Sequence, residues 1–390
     1  MRPRVVIVGA GIIGSACARS LARRGADVVV LDRGAAAGET SASGEGNLLV
    51  SDKAPGPELE LALYSLRLWP SLRDDLVAEL GAEFAPIEFQ AKGGVVAALT
   101  PGESEELAKL AEAQRQAGVD ARRVSVEEAL ELEPELSRSI SSAVYYPDDA
   151  QVQPAIATEA LLASARLSGA RFVPGVAVTG PLRDAAGTLT GVSTTSGNFE
   201  ADCVVVAAGP WSGEVAASLG GTLLVGPRKG ILLVTARMPQ RVLHKVYDTS
   251  YVSNVQAANR DLQTSTVVES TASGTVLIGS SRQNVGFDRR IDAKVVQTIA
   301  ERAVRLMPFL RDVSIIRAYC GFRPYSSDHL PVIGPDREVP GLWYASGHEG
   351  AGIGLAPATA ELLATLLLGG TPAVATDPFL PRATSDTGGE

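Results

Sequence analysis

Three groups of residues in this 390-residue sequence combine types and spacings that carry chemistry. The first is Gly9-Ala10-Gly11-Ile12-Ile13-Gly14, followed by Asp32, 18 residues after the last glycine. In a G-x-G-x-x-G turn the first glycine permits the tight turn. The second lets the backbone approach a pyrophosphate, and the third lets a helix pack closely on a strand. Asp32 is then placed to accept hydrogen bonds from ribose hydroxyls. The second group is GHEGAGIG, residues 347–354, a glycine-rich stretch that also holds His348 and Glu349. The third is Arg323, a lone guanidinium in AYCGFRPYSSDHLPVIG, with Asp328 and His329 close behind. An arginine fork grips a carboxylate through two parallel hydrogen bonds. The alternative is a structural arginine paired with Asp328 or a backbone carbonyl.

These residues need elements to position them. Residues 5–8 form a short apolar run, as a strand buried on both faces requires. A helical pattern follows to about residue 24, and DVVVL is a second buried strand ending at Asp32. The result is a βαβ unit with the glycines in its turn. The acid disfavours NADP, whose 2′-phosphate calls for an arginine, but the motif does not separate NAD from FAD.

GETSASGEGN, residues 38–47, is a small polar loop whose backbone can run along a flat ligand. Periodicity predicts helices over 58–80, 103–117, 126–132, 151–167, 292–306 and 356–368. Strand patterns fall near 87–89 and 93–99, over 203–207, in alternating segments across 226–235 and 247–281, and at 342–345. The strand in DCVVVAAGPWS ends at Gly209, and open α/β sheets bind ligands at such carboxyl ends. Residues 318–334 look turn-rich, and 376–390 look like a frayed tail.

Composition narrows the class. Apolar residues make up 45% and charged residues 20%, which describes a soluble globular chain long enough for two domains. A net charge of −9 without a basic run argues against a nucleic-acid surface. Cys17, Cys203 and Cys320 lie far apart, and His244, His329 and His348 form no H-x-x-x-H pair. Neither a disulfide framework nor a metal site is expected. Arg2 and Arg4 precede an apolar run over 5–22 that looks like a signal segment, but its glycines have the use given above. No second apolar run looks long enough to span a bilayer, so a cytoplasmic protein is expected.

The combination of VVIVGAGIIGSACARSLA, QVQPAIATEALLASA, DCVVVAAGPWS, TVLIGSSRQNVGFD, GFRPYSSDHLPVIGP and GLWYASGHEGAGIGLAPATAELLA resembles the D-amino-acid oxidase superfamily of flavoproteins. Within it, the branch of glycine oxidase, hydrogen cyanide synthase and hydroxyproline or opine dehydrogenases is most similar. The resemblance spans nearly the whole chain. It implies an α/β fold: a Rossmann-like FAD-binding domain of the GR2 type, interleaved with an α+β substrate domain on a mixed sheet. The implied FAD domain comprises 1–85, 147–226 and 320–375; the substrate domain comprises 86–146 and 227–319.

By motif match, Gly9, Gly11, Ile13 and Gly14 would meet the pyrophosphate, and Asp32 with Arg33 the adenosine ribose. Val176 would meet the adenine, while Thr40, Ser41, Gly46, Asn47 and Leu48 would line the flavin side. His348, Glu349, Gly350, Ala351, Gly352, Ile353 and Gly354 would face the isoalloxazine edge. Arg323 matches the position that binds the substrate carboxylate. Tyr251, or Tyr247, is the candidate partner donor, and His348 stands beside the flavin.

The implied reaction is hydride transfer from the carbon bearing a neutral amine to flavin N5, giving an imine that hydrolyses unaided. The protein's task is then orientation. Substrate would be a small amino acid or amine, and the acceptor O2 or another oxidant. The alternative is a flavin-bearing subunit that passes electrons to a partner; a homo-oligomer is a further expectation. An NAD-dependent dehydrogenase would require GHEGAGIG to be incidental. The nearer branch binds FAD non-covalently, but in sarcosine oxidase relatives a cysteine near the place of Cys320 forms a thioether to the flavin.

Overall fold

The computed structural model describes residues 2–250 and 262–382. Two sheets organise the chain. The first has six strands, in the order Val332–Pro335, Leu342–Ser346, Cys203–Val206, Arg4–Val8, Asp27–Leu31 and Arg171–Val173. All its pairings are parallel except that of Val332–Pro335 with Leu342–Ser346. Arg4–Val8 and Cys203–Val206 reach zero exposure at Ile7 and at Val204 to Val206, which explains why both read as continuous apolar runs. The helices Ile12–Arg23, Pro154–Leu167 and Gly352–Leu368 cover one face. The opposite face packs on the hairpin strands through Leu189 and Val192.

The second sheet has eight strands and is mixed. Its long central pair, Val225–Thr235 and Ile315–Ser326, runs antiparallel in one register from Val225↔Ser326 to Val234↔Arg317. Lys245–Asp248 pairs in parallel with Gly94–Ala98. The helix Ala293–Leu306, capped by the Asp292 side chain, buries Val295, Ile299, Ala303 and Leu306 against this sheet.

Several expectations need correction. Residues 87–89 form no strand; only an isolated bridge at Gln90↔Gln151 follows them. The helix expected from 151 starts at Pro154, because Ala150–Gln151 is taken up pairing with Asn47–Leu48. The apparent turn around Arg323 is the end of the 12-residue Ile315–Ser326 strand. Pro324 sits opposite Pro227, so neither needs a ladder donor there. The proposed boundary at 319/320 therefore falls inside a strand of the second sheet, and the return to the first sheet comes after Ser326.

The tail expected from 376 is not frayed at its start. Asp377–Phe379 forms a turn, and Phe379 is 1% exposed in the main core. Finally, Glu349–Leu368 is long and apolar enough to cross a membrane, contrary to the reading from sequence. It is a core helix, with Leu355, Ala356, Leu362, Leu363 and Ala364 buried in the main cluster.

Candidate functional site

The carboxyl ends of Arg4–Val8 and Cys203–Val206 open onto a cavity of about 640 Å³ between the two sheets. The chain leaves these neighbouring parallel strands in opposite directions, and such a switch point forms a crevice. Gly9 turns there with φ 115°, bonded to the Leu31 carbonyl at 2.8 Å. A Cβ on Gly9 would collide with the Ala207 carbonyl, and one on Gly14 with the Gly9 carbonyl. A Cβ on Gly11 would fall 3.1 Å from Ser41 Oγ. Gly9 and Gly14 are thus imposed by close backbone approach.

Asp32 accepts from the amides of Ala10 at 2.8 Å and Gly34 at 2.7 Å, which ties the turn to the end of the second strand. Ser41 Oγ accepts from Ile12 N at 2.9 Å, and Thr40 Oγ1 donates to the Phe322 carbonyl at 2.7 Å.

Two long helices begin at this cavity. Gly11 precedes Ile12–Arg23 and Ala351 precedes Gly352–Leu368, and neither supplies a capping side chain. Their first-turn amides suit a phosphate and a polar ring edge. The cavity runs from Arg33, Val176 and Val178 past the glycine turn to Arg323, His348 and Gly350. Its elongated lining and backbone donors fit an extended dinucleotide such as FAD.

The structure brings most of the expected residues together. Gly9, Gly11, Ile13, Asp32, Arg33, Thr40, Ser41, Gly46, Asn47, Val176, Gly209, Arg323, His348, Glu349, Gly350, Gly352 and Ile353 line this one cavity. Gly14, Leu48, Ala351 and Gly354 do not. Gly354 instead seats its helix: its carbonyl accepts from Ser65 Oγ at 2.6 Å and Trp69 Nε1 at 3.0 Å. Leu48 is fully buried behind the wall. Tyr251 lies outside the described residues. Tyr247 is fully buried, bonded to Ser51, and outside the lining.

His348 is 3% exposed, with Nε2 2.9 Å from Thr359 Oγ1. Burial lowers its pKa to about 3, so the imidazole is neutral.

Arg323 is half-buried. Its Nη1 donates to the Ser281 carbonyl at 2.9 Å, and its guanidinium covers Gly230, where any side chain would collide with it. Asp328 pairs with Arg382. Directly opposite Arg323 in the register stands Arg228, which is 1% exposed. Arg228 donates to Glu349 Oε1 at 2.6 Å and Gln263 Oε1 at 2.9 Å. His329 Nδ1 lies 2.9 Å from Glu349 Oε2. Burial alone would raise the Glu349 pKa, but the His329 hydrogen bond and the Arg282 and Arg228 charges together leave it below the usual value. Both His329 (φ 59°) and Glu349 (φ 45°) occupy the left-handed region, and strained non-glycine residues collect at functional sites.

Cys320 faces away from the cavity. Gly321, Phe322, Arg323 and Pro324 line the cavity, while Cys320 does not and packs beside Ile231 against the core of the second sheet. Its Sγ lies 3.5 Å from the Arg289 carbonyl. Cys320 thus stands outside the lining that would hold the flavin, which accords with non-covalent binding.

Sequence reading missed Arg228, Glu45, Lys245 and Trp211. Trp211 stacks on Phe287 at 4.7 Å, with the Arg33 guanidinium 4.2 Å from its ring centroid at the cavity mouth. For the charged residues the sequence carries no signal: Arg228 stands beside Lys229, and Lys245 opens a strand that ends at Asp248. Only the structure shows what they face.

Comparison with known proteins follows the same line. The family model described as FAD dependent oxidoreductase (DAO) matches residues 4–366. The glycine oxidase of Geobacillus kaustophilus is 31% identical, covering 93% of this chain and 92% of its own length. The hydrogen cyanide synthase subunit HcnC of Pseudomonas aeruginosa is 29% identical over 96% of this chain and 95% of its own. The crystal structure of the G. kaustophilus glycine oxidase superposes with a TM-score of 0.86 at 29% identity, covering 98% of this chain and 99% of that one.

Proposed function

The chain belongs to the FAD-dependent oxidoreductase family, and from that premise we propose that Arg323 holds the carboxylate of a small amino acid whose C–N bond is oxidised. The protein is an FAD-dependent oxidoreductase of amino-acid or amine donors. FAD, when bound, supplies the acceptor for the hydride leaving the carbon that bears the amine.

The chain's own residues bind and orient. Gly9, Gly11, Ile13 and Gly14 form the pyrophosphate turn, with Asp32 and Arg33 at the adenosine ribose and Val176 at the adenine. Thr40, Ser41, Gly46, Asn47 and the 348–354 stretch hold the flavin, with Leu48, Ala351 and Gly354 as the layer behind. Residues of the first sheet make up the FAD domain and those of the second the substrate domain. O2 is the natural acceptor for an oxidase, and the cytoplasm the natural compartment. Transfer of electrons to a partner subunit draws support from the names of relatives that are hydrogen cyanide synthase subunits.

The observation that carries the reading is the seat of Arg323. Its guanidinium lies over side-chain-free Gly230, with Gly350 beside it, inside the cavity. The Arg228–Glu349–His329 chain next to it fixes that wall, so the fork is preorganised. The name of the G. kaustophilus relative supports a small α-amino acid as substrate.

Anaerobic bleaching of the bound flavin by D-amino acids, glycine, sarcosine, prolines, opines and amines that lack a carboxylate tests this. Bleaching by at least one carboxylate-bearing amine is expected. Bleaching only by amines that lack a carboxylate would overturn the assignment.

A further inference from the structure

One acid in the cavity wall has no task in the account above. Glu45 lines the cavity, and its side chain is 7% exposed. Its Oε2 accepts from Asn47 Nδ2 at 2.9 Å and lies 3.9 Å from Lys245 Nζ. Its Oε1 has no partner among the described residues. A dry carboxylate oxygen without a donor is costly, and the complement it lacks is a charged N–H.

Among the described residues the surroundings do not supply one. Lys245 Nζ is engaged by Asn47 Oδ1 and by Glu269 Oε2 at 2.8 Å. Lys92, next along, donates to the Ser270 carbonyl at 2.8 Å. Gln151 Nε2 reaches only the Glu45 backbone carbonyl. Tyr319, directly opposite Leu232 in the register, is the other titratable group on this face. Burial first, then the Glu45 and Glu269 charges, push its phenol up to about 12, so it stays neutral.

Position matters as much as the missing partner. Glu45 Oε1 occupies the place of a side chain on Gly279, beside Leu232. Arg323 occupies the place of a side chain on Gly230. Gly230 and Leu232 both line the cavity from one strand, so their Cα atoms stand about 7 Å apart. A carboxylate and a guanidinium therefore stand near neighbouring positions of one wall, the scale on which a small zwitterion is held.

We propose that Glu45 is a catalytic residue that receives the substrate ammonium while Arg323 holds its carboxylate. This rests on the amino-acid reading above and deepens it. An amine must be neutral before its neighbouring carbon gives up a hydride. Glu45 Oε1 takes one proton from the ammonium nitrogen; an N–H bond breaks, an O–H bond forms, and the carboxylate becomes a carboxylic acid. No other bond changes in this step. The proton returns to solvent once the product has left.

The test compares parent holoenzyme with Glu45→Gln by anaerobic stopped-flow reduction of the flavin with the best amino-acid substrate from pH 6 to 10. The variant should reduce about 10²-fold more slowly at neutral pH, within the usual range for acid–base catalysis. The gap should close as pH approaches the pKa of the free substrate amine. Acetate, which lacks an amine, should perturb the flavin spectrum of both proteins at the same concentration. A gap that stays constant across pH would overturn the proposal. So would weakened acetate binding accompanied by unchanged reduction.

If Glu45→Gln retains no FAD, Glu45→Asp carries the same comparison, since it keeps the charge and withdraws it by one methylene. A gap closing with pH supports the proposal, and a flat one overturns it. A parent protein reduced by no amino acid would sink the amino-acid reading itself, and this inference with it. A reducible parent with a flat gap sinks only the inference.

Discussion

The two sheets build their halves of the cavity from different materials. The six-stranded side is made of backbone. Gly9, Gly11 and Gly14 allow close approach, helix amides point inward, and Asp32 binds two main-chain amides. The eight-stranded side lines the cavity with Gly230, Leu232, Gly321, Phe322, Arg323 and Pro324, and carries buried charge behind that lining. Arg228, Lys245 and Glu269 are each 1% exposed or less, and they are joined to Glu349, Asn47 and Glu45 from distant parts of the chain. On the proposed reading, the backbone half holds the cofactor and the charged half chooses the substrate.

That contrast can be broken from either side. The largest effect is expected in the backbone half. Gly14→Val would drive a branched side chain into the Gly9 carbonyl, so the variant should bind no FAD; absorbance of the purified protein near 450 nm checks this. Retention of one FAD per chain would contradict a cradle that depends on close approach.

A smaller effect, sensitive to pH, is expected in the charged half. Lys245→Met leaves Glu269 buried without its 2.8 Å partner, a loss of about 3 kcal/mol at neutral pH. Burial already raises the Glu269 pKa, and Lys245 and Lys92 act against that rise. With Lys245 gone it rises further. A carboxyl with a raised folded pKa favours the fold below its unfolded pKa, and that contribution is lost as pH climbs through the folded value. The Lys245→Met deficit should therefore be smaller at pH 5 than at pH 8 in thermal unfolding. Equal deficits would mean the pair contributes no electrostatic stabilisation.

The same contrast explains what was legible in the sequence. The glycine turn, the Asp32 position, the strand-end Gly209 and the second glycine entrance are local patterns, each fixed by a backbone constraint within a few residues. All of them except Gly14, Leu48, Ala351 and Gly354 line the cavity, and those four lie one layer behind. Arg323 was legible as a residue out of keeping with its neighbours, although its strand looked like a turn because a proline and a glycine interrupt it. Arg228, Glu45 and Lys245 were not legible. Their partners lie 121 residues away for Arg228 and 24 and 198 for Lys245, and no periodicity encodes such pairings. The direction of Cys320 was equally hidden, since it depends on the phase of a strand that was not recognised. Phe379 looked like part of a tail because its burial comes from the first sheet, not from its own segment.

The claim that one half holds the cofactor while the other chooses the substrate is tested most directly by Arg323→Ala. Two affinities should be measured in it: that for FAD, by reconstitution, and that for the amino acid, by anaerobic flavin reduction. FAD should bind as in the parent. Efficiency with the best amino acid should fall ~10²-fold or more, the worth of a lost bidentate, charge-assisted pair. Amines without a carboxylate should gain in relative rank, and Arg323→Lys should recover part of the loss. Weakened FAD binding with an unchanged substrate ranking would contradict the account, because Arg323 would then belong to the fold and not to the choice of substrate.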